Sequence, residues 1–429
     1  MFYGWKNVMA AFTGMGLCYA MFTVFAFGTF VKPLETEFGW QRGEMSFALT
    51  MTNIAVVVAS PSLGFIIDRL GVRRVLIPST ILMAFAVASM IFLTRNIWHF
   101  YAMFLLIPIL GAGTLPQSYS RIIIAWFARR RGIALGISLA GFGVGAAIIP
   151  AFAQYMIEHY GWRMAYLGFA AAILFIALPM VFFLIRETPE EMGLSPDGDA
   201  PSQPIDKDGA NPPATAPDVG LSGRESAGRR SYWLILISFL LVGVGITSIL
   251  AHLVPMLIGR GVAPGVAALA MSSLGLGLIF GRIFAGYLMD RFFAPYVAAV
   301  FLLGLVAGMV ILALGASGFP VFVAAVLVGM ATGSEICEIA YIVSRYFGPR
   351  AFALNYGIMF AAFQVGSAFG PPIMGAYFDQ AGNYVGALWV LTGVVLLGTL
   401  LITLLGRYPD FEPDSKGVDE AAPVVSRGK

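Results

Sequence analysis

Twelve separate runs of some twenty predominantly apolar residues limit this chain more than any other feature. They lie at 8–31, 44–66, 75–94, 98–124, 133–156, 164–185, 232–257, 265–288, 295–315, 320–344, 352–377 and 383–406. A helix needs about 20 apolar residues to cross the hydrocarbon core of a bilayer, so each run is long enough to span one. The chain is 59% hydrophobic and 11% charged, whereas soluble domains are about a quarter charged. An all-α integral membrane protein with twelve transmembrane helices follows. The first run is too long for a signal-peptide core and has no clear small-residue cleavage site after it, so it is expected to be retained. Glycine and proline recur inside the runs, as membrane helices tolerate.

Between the sixth and seventh runs the composition changes. Residues 187–230 (ETPEEMGLSPDGDAPSQPIDKDGANPPATAPDVGLSGRESAGRR) are rich in Pro, Gly, Ser and acids. Such a segment cannot bury a core, and a disordered cytoplasmic linker is expected. It divides the chain into a six-helix bundle at 1–186 and another at 231–407, with a tail at 408–429. Basic residues set the orientation. With the N-terminus inside, 19 of the 26 Lys and Arg fall in cytoplasmic segments, five outside and two within helices. Both termini and the linker are then cytoplasmic, and the pI near 8.8 reflects topology rather than nucleic-acid binding.

Several chemistries are excluded. Cys18 and Cys337 stand alone in apolar runs, and His99, His159 and His252 are scattered, so neither a disulfide framework nor a metal site is expected. GAGTLPQ and GLGLIFG contain G-x-G but lie inside membrane runs with no strand before them; no Walker sequence occurs, and no nucleotide cofactor is expected. No nucleophile–base cluster suggests an enzyme.

The two halves repeat. GFIIDRLGVRR (Gly64–Arg74) follows the second run and GYLMDRFFAPY (Gly286–Tyr296) follows the eighth, 222 residues later. WFARRRGIALGI (Trp126–Ile137) likewise matches YFGPRAFALNYGI (Tyr346–Ile358), offset by 220. Parallel repeats of this kind mark transporters that bind substrate near the midplane between halves. The G-x-x-x-D-R-x-G-x-R-R loop resembles the signature loop of the major facilitator superfamily. That resemblance implies a conformational latch built from Gly64, Asp68, Arg69, Gly71, Arg73 and Arg74, with Asp290 and Arg291 as its weaker copy. Topology signalling alone would account for the arginines but not for the shared Gly and Asp spacing.

A narrower resemblance lies in the first run: Gly4–Trp5, Ala11–Phe12, Gly16 and Tyr19–Ala20 are similar to the opening of monocarboxylate transporters and their bacterial relatives. RETPEEMGLSPDG and SRYFGPRAF resemble bacterial members of that group, which implies a bacterial inner (plasma) membrane as the location. The eukaryotic members carry an arginine matching Arg282, where it is thought to hold the substrate carboxylate. Arg282 lies eight residues before Asp290, about 12 Å along the helix at 1.5 Å per residue. Facing lipid, a cation at that depth costs at least several kcal/mol, so it should face a cavity, an anion or a helix-10 glutamate. The lysine and aspartate that the eukaryotic members use correspond here to Thr23 and Leu278, which argues against a simple transfer of their proton coupling.

Other polar groups are candidates. Glu335 and Glu338 in the tenth run are three apart and share a helix face. Two neighbouring carboxylates in a low dielectric cannot both ionise cheaply, so one should hold a proton and could carry it; alternatively Arg121 or Arg282 neutralises one of them. The fourth run holds Gln117, Tyr119 and Arg121. Arg121 either helps hold an anion or anchors its helix to a neighbour. His252, with Pro255 behind it in the seventh run, is either hydrogen-bonded structure or a ligand or proton contact. The glycines of the fifth run (Gly136, Gly141, Gly143, Gly145) and the eleventh (Gly357, Gly366, Gly370, Gly375) are expected to be close-packing surfaces.

The expectation is a monomeric, multi-pass secondary transporter of a small organic anion, a monocarboxylate, coupled to protons and working by alternating access. Efflux of amphipathic compounds or transport of another anion is the alternative. A non-transporting membrane sensor is disfavoured, because neither the linker nor 407–429 has the composition of a folded signalling domain.

Overall fold

The computed structural model describes residues 2–198, 220–409 and 411. Among the described residues every regular element is helical. The first half contains α1 (Gly4–Gly16), α2 (Phe27–Phe38), α3 (Arg42–Leu70), α4 (Val72–Ala88), α5 (Ile97–Leu110), α6 (Pro116–Trp126), α7 (Arg131–Tyr160), α8 (Trp162–Ala172) and α9 (Leu178–Leu184). The short α10 (Gly223–Ala227) precedes α11 (Arg230–Gly259), α12 (Pro264–Met289), α13 (Ala294–Ala313), α14 (Phe319–Phe347), α15 (Phe352–Ala381) and α16 (Val385–Thr403). Eleven continuous helical stretches are long and apolar enough to cross a membrane. The first of these joins α1 to α2 through a π-turn at Met21–Phe25, and the fifth joins α8 to α9 through another at Ile173–Ala177. The fourth span is interrupted, which leaves α5 short. With it, the twelve spans expected from the sequence are present, in two repeats of six.

The interruption in the fourth span has a local cause. Gly111 and Gly113 weaken the helix and Pro116 offers no N–H, so the chain passes through a 3₁₀ turn at Ala112–Thr114. Non-helical backbone at membrane depth must be satisfied from within the protein. Ser79 of α4 does this: its hydroxyl donates to the Leu110 carbonyl and accepts from the Gly113 N–H at 2.8 Å. Two other prolines are answered similarly. Pro108 leaves the Phe104 carbonyl without its helical donor, and Thr52 of α3 donates to it at 3.1 Å. Pro371 frees the Ser367 carbonyl, and Thr247 of α11 donates to it at 3.1 Å.

Glycines set which helices touch. Gly141 and Gly145 of α7 meet the backbone of Phe12 and Gly16, while Gly366 and Gly370 of α15 meet Leu240 and Val244 of α11. Gly277 and Gly281 of α12 oppose Val326 and Met330 of α14, where Gly329 and Gly333 oppose Leu274 and Leu278. Large apolar side chains such as Phe85, Phe175, Phe280 and Val390 remain exposed on the outside, as a lipid-facing surface requires.

The linker departs from the expectation of disorder at both ends. Glu187 accepts a hydrogen bond from the Val72 N–H at the start of α4, and Asp197 accepts from the Ala128 and Arg129 N–H groups at 3.0 and 2.7 Å. At the other end the Leu221 N–H donates to Phe347 O at 2.8 Å, and a Ser222–Glu225 capping box starts α10. These acids serve orphan N–H groups of neighbouring turns. Residues 199–219, and the tail from 412 onwards, lie outside the described residues.

Candidate functional site: a latch face and a buried cation at the seam

The signature loops sit at the end of the molecule that also carries both linker ends, called the latch face here. Asp68 closes α3 and accepts from the Ala353 and Leu354 N–H groups at 3.2 and 2.8 Å, at the start of α15. Asp290, the C-cap of α12, accepts from the Gly132 and Ile133 N–H groups at 2.6 and 2.9 Å, at the start of α7. Each aspartate thus caps a helix of the opposite half, where orphan N–H groups and the helix dipole favour a negative charge. Burial pushes the Asp290 carboxyl above the usual range, against the opposing pull of the Ile133 and Gly132 N–H groups.

The glycine one turn earlier explains the spacing. A Cβ on Gly64 would run into the backbone of Ala353 and Leu354, and one on Gly286 into Gly132. Without side chains there, the helices cross closely enough for the aspartate to reach the next helix end. Gly71 has φ of 87° and lies against Glu187, so this turn also needs glycine. Arg69 and Arg291 each lie 4.0 Å over the aromatic ring four residues earlier, Phe65 and Tyr287. Arg73 donates to Phe182 O at 2.9 Å, while Arg74 is exposed and lines a cavity of about 490 Å³ with Asp68, Arg121 and Glu187.

That cavity also locates Arg121. It forms an ion pair with Asp68, so it braces α6 against α3 at the latch face and does not join Arg282. Gln117, one turn away, donates to Ser60 O at 2.8 Å and accepts from the Ser60 hydroxyl at 2.9 Å. Both polar groups of the fourth span are therefore committed to α3, because their amide and guanidinium donors find acceptors on the adjacent helix.

Arg282 lies deeper and is 1% exposed. Its Nε donates to Gly333 O at 2.9 Å on α14, and Nη1 donates to Leu139 O at 2.8 Å on α7. The first bond is possible because Gly333 lets α14 approach the α12 backbone. The second crosses between halves. Nη2 has no hydrogen-bond partner among the described residues, and the Phe142 ring centroid lies 5.6 Å from the guanidinium carbon. No ion pair joins Arg121 or Arg282 to Glu335 or Glu338 of α14 among the described residues.

Glu335 and Glu338 are 3% and 0% exposed. Among the described residues, Oε1 of Glu335 and both carboxyl oxygens of Glu338 have no hydrogen-bond partner. Glu335 is nevertheless close enough for its charge to act on Arg282. The Tyr356 hydroxyl on α15 is likewise buried and without a partner, within electrostatic range of Glu335 and Arg282. Buried polar groups of native proteins are nearly all hydrogen-bonded, so four unpartnered oxygens on α14 and α15 mark a place suited to a mobile species. Sequence reasoning missed Tyr356, which no motif distinguishes, and Ser60, which an overlay of the halves would have paired with Arg282.

The remaining candidates have other neighbours. Tyr119 is 1% exposed, with its hydroxyl against Gly14 of α1. His252 stands apart: its Nε2 is 3.0 Å from Pro371 O and its Nδ1 is 3.3 Å from the Tyr384 hydroxyl, tying α11 to α15 and α16. Thr23 lies in the first π-turn and donates to Tyr19 O at 3.1 Å.

The family model described as Major Facilitator Superfamily matches residues 13–337 and 255–428. The chain belongs to that superfamily. Its members are transporters and not enzymes, and this one is a multi-pass integral membrane protein. Monocarboxylate transporter 11 of Mus musculus is 24% identical over 94% of this chain and 88% of its own length. The riboflavin transporter RibJ of Trypanosoma brucei brucei is 32% identical over 28% of this chain and 22% of its own length. Among solved structures, the proton:xylose symporter XylE superposes with a TM-score of 0.73 at 15% identity, covering 95% of this chain and 96% of XylE. The last is a likeness of fold alone.

Proposed function

We propose that this protein is a secondary active transporter that moves a small organic anion, a monocarboxylate, by alternating access and in step with protons. The observation that carries this reading is Arg282, a buried cation at the seam between the halves with one nitrogen uncommitted and unpartnered carboxyls nearby. An arginine in such a place attracts a carboxylate, whose two oxygens match the guanidinium fork. Its similarity to monocarboxylate transporters supports the same substrate class. Thr23 and Leu278 carry no charge, so protons would pass through Glu335 and Glu338 instead. The positive-inside pattern supports a cytoplasmic latch face, termini and linker, and the likeness of RETPEEMGLSPDG and SRYFGPRAF to bacterial members supports a bacterial membrane, with 1–186 and 231–407 as two bundles that rock about the seam. One monomer holds the whole path.

An apolar cavity of about 280 Å³ between α3 and α15, lined by Asn53, Val57, Val58, Val365 and Phe369, favours amphipathic compounds as a second class of substrate. Purified protein should be screened for thermal stabilisation by small monocarboxylates, by aromatic acids and by neutral amphipathic compounds. Stabilisation by a carboxylate in the parent protein that is lost in Arg282→Gln is the expected result. Stabilisation confined to neutral compounds would favour the second class.

A further inference from the structure

Two hydrogen bonds cross between the halves about two helical turns above the capping aspartates, and their donors sit at equivalent places. Ser60 and Arg282 are 222 residues apart, as are Gly64 and Gly286, and Asp68 and Asp290. On α3 the Ser60 hydroxyl shares its one proton between Gln117 Oε1 at 2.9 Å and Gly357 O of α15 at 3.1 Å, across the seam. On α12 Nη1 of Arg282 donates to Leu139 O of α7 at 2.8 Å. Glycines permit both crossings: Gly357 lies against the Ser60 carbonyl, and Gly136 against the Arg282 carbonyl. By the duplication, the position of the buried cation is also the position of a tie between the halves.

We infer that Arg282 is itself a tie of the closed latch face, and that a bound anion releases it by drawing Nη1 away from the Leu139 carbonyl. This rests on the carboxylate reading proposed above. A peptide carbonyl is a neutral acceptor, whereas a carboxylate adds opposite charge and a two-point fit to the guanidinium fork. Nη2 has no hydrogen-bond partner among the described residues, so a carboxylate can dock there and then capture Nη1 beside it. Asp68 and Asp290 hold N–H groups and Ser60 is uncharged, so none of these three ties offers a cation for which an anion would compete. A ligand shifts a conformational equilibrium only through its differential affinity. That difference arises here because the closed state must lose a bond to seat the anion. Once α7 has parted from α12, the fork is already free. The anion therefore binds the open-latch state more tightly and drives the latch face apart.

Spin labels at Arg130→Cys and Phe292→Cys, exposed positions beside the α7–α12 seam, report this opening through their distance distribution. The native Cys18 and Cys337 are buried. Without ligand, Arg282→Gln should raise the open population about tenfold, as expected for loss of a hydrogen bond from a charged donor. Ser60→Ala should raise it about fivefold. Arg282→Lys is the second variant in case the glutamine form does not fold; one ammonium cannot hold both Gly333 and Leu139, so a smaller rise is expected. An unchanged closed population in the folded Arg282 variants would overturn the tie. Acetate, lactate and benzoate are then added, and those that stabilise the parent should open its latch face without further opening Arg282→Gln. A carboxylate that stabilises Arg282→Gln as well as the parent, or a panel in which none binds, counts against the carboxylate reading and leaves the tie standing. One that needs Arg282 but leaves the latch face closed removes the release.

Discussion

Glu335 and Glu338 are the residues whose chemistry is most open to direct test. Both are buried without ion pairs among the described residues, and their unpartnered oxygens suit a group that gains and loses a proton. Substituting the one that carries the proton with Gln fixes it in a neutral form. That variant should abolish proton-driven accumulation while substrate exchange across the membrane continues; full accumulation in both single variants and in the double would remove α14 from the proton path. For Arg282 the shape of the cation matters as much as its charge. Lysine keeps the charge without the planar fork. Arg282→Lys should retain little transport and Arg282→Gln essentially none, with binding at least tenfold weaker, because leaving a close buried charge unpaired costs on the order of 2–5 kcal/mol. Uptake measured beside protein abundance checks both. The depth of Arg282 was legible in the sequence because charge is rare inside an apolar run. Its partners were not, since Leu139 and Gly333 contribute backbone carbonyls, which any residue carries.

At the level of elements, the spacing G-x-x-x-D announced the latch but not what it grips. The grip is a helix N-terminus in the opposite half, reached only because Gly64 and Gly286 allow close crossings. Asp68→Asn would keep an acceptor for the α15 N–H groups and lose the charge facing Arg121. Transport should slow while substrate affinity stays within a few-fold, because the change acts on the conformational step; loss of binding with an unaltered conformational equilibrium would count against a latch. Arg121 shows the limit of counting along a helix. It stands eight residues before Arg129, as Arg282 stands eight before Asp290, yet Asp68 lies within reach and claims it. The interruption of the fourth span was hidden for another reason: glycine and proline recur in many of these spans, and only the Ser79 contacts distinguish the one that breaks.

For the whole molecule, hydropathy and the 222-residue offset were enough to give twelve spans and two repeats, because a bilayer dictates helix length whatever the side chains do. Pairing across the seam, α3 with α15 and α7 with α12, was not legible, because it depends on backbone contact at glycines. The duplication has nonetheless diverged in chemistry at one level: a serine ties one seam and an arginine the other. One cation at the centre suits a single bound anion.

The docked linker ends imply that covalent continuity between the halves is dispensable. Asp197 is held by Ala128 and Arg129 of the half it leaves, and Leu221 by Phe347 of the half it enters. Each half therefore keeps its own stub, and the seam is held by contacts that owe nothing to the intervening peptide. Residues 1–205 and 212–429 supplied as two polypeptides in one membrane should copurify and transport at a substantial fraction of the intact rate. Halves that are each inserted but fail to associate would show that the connection itself holds them in register.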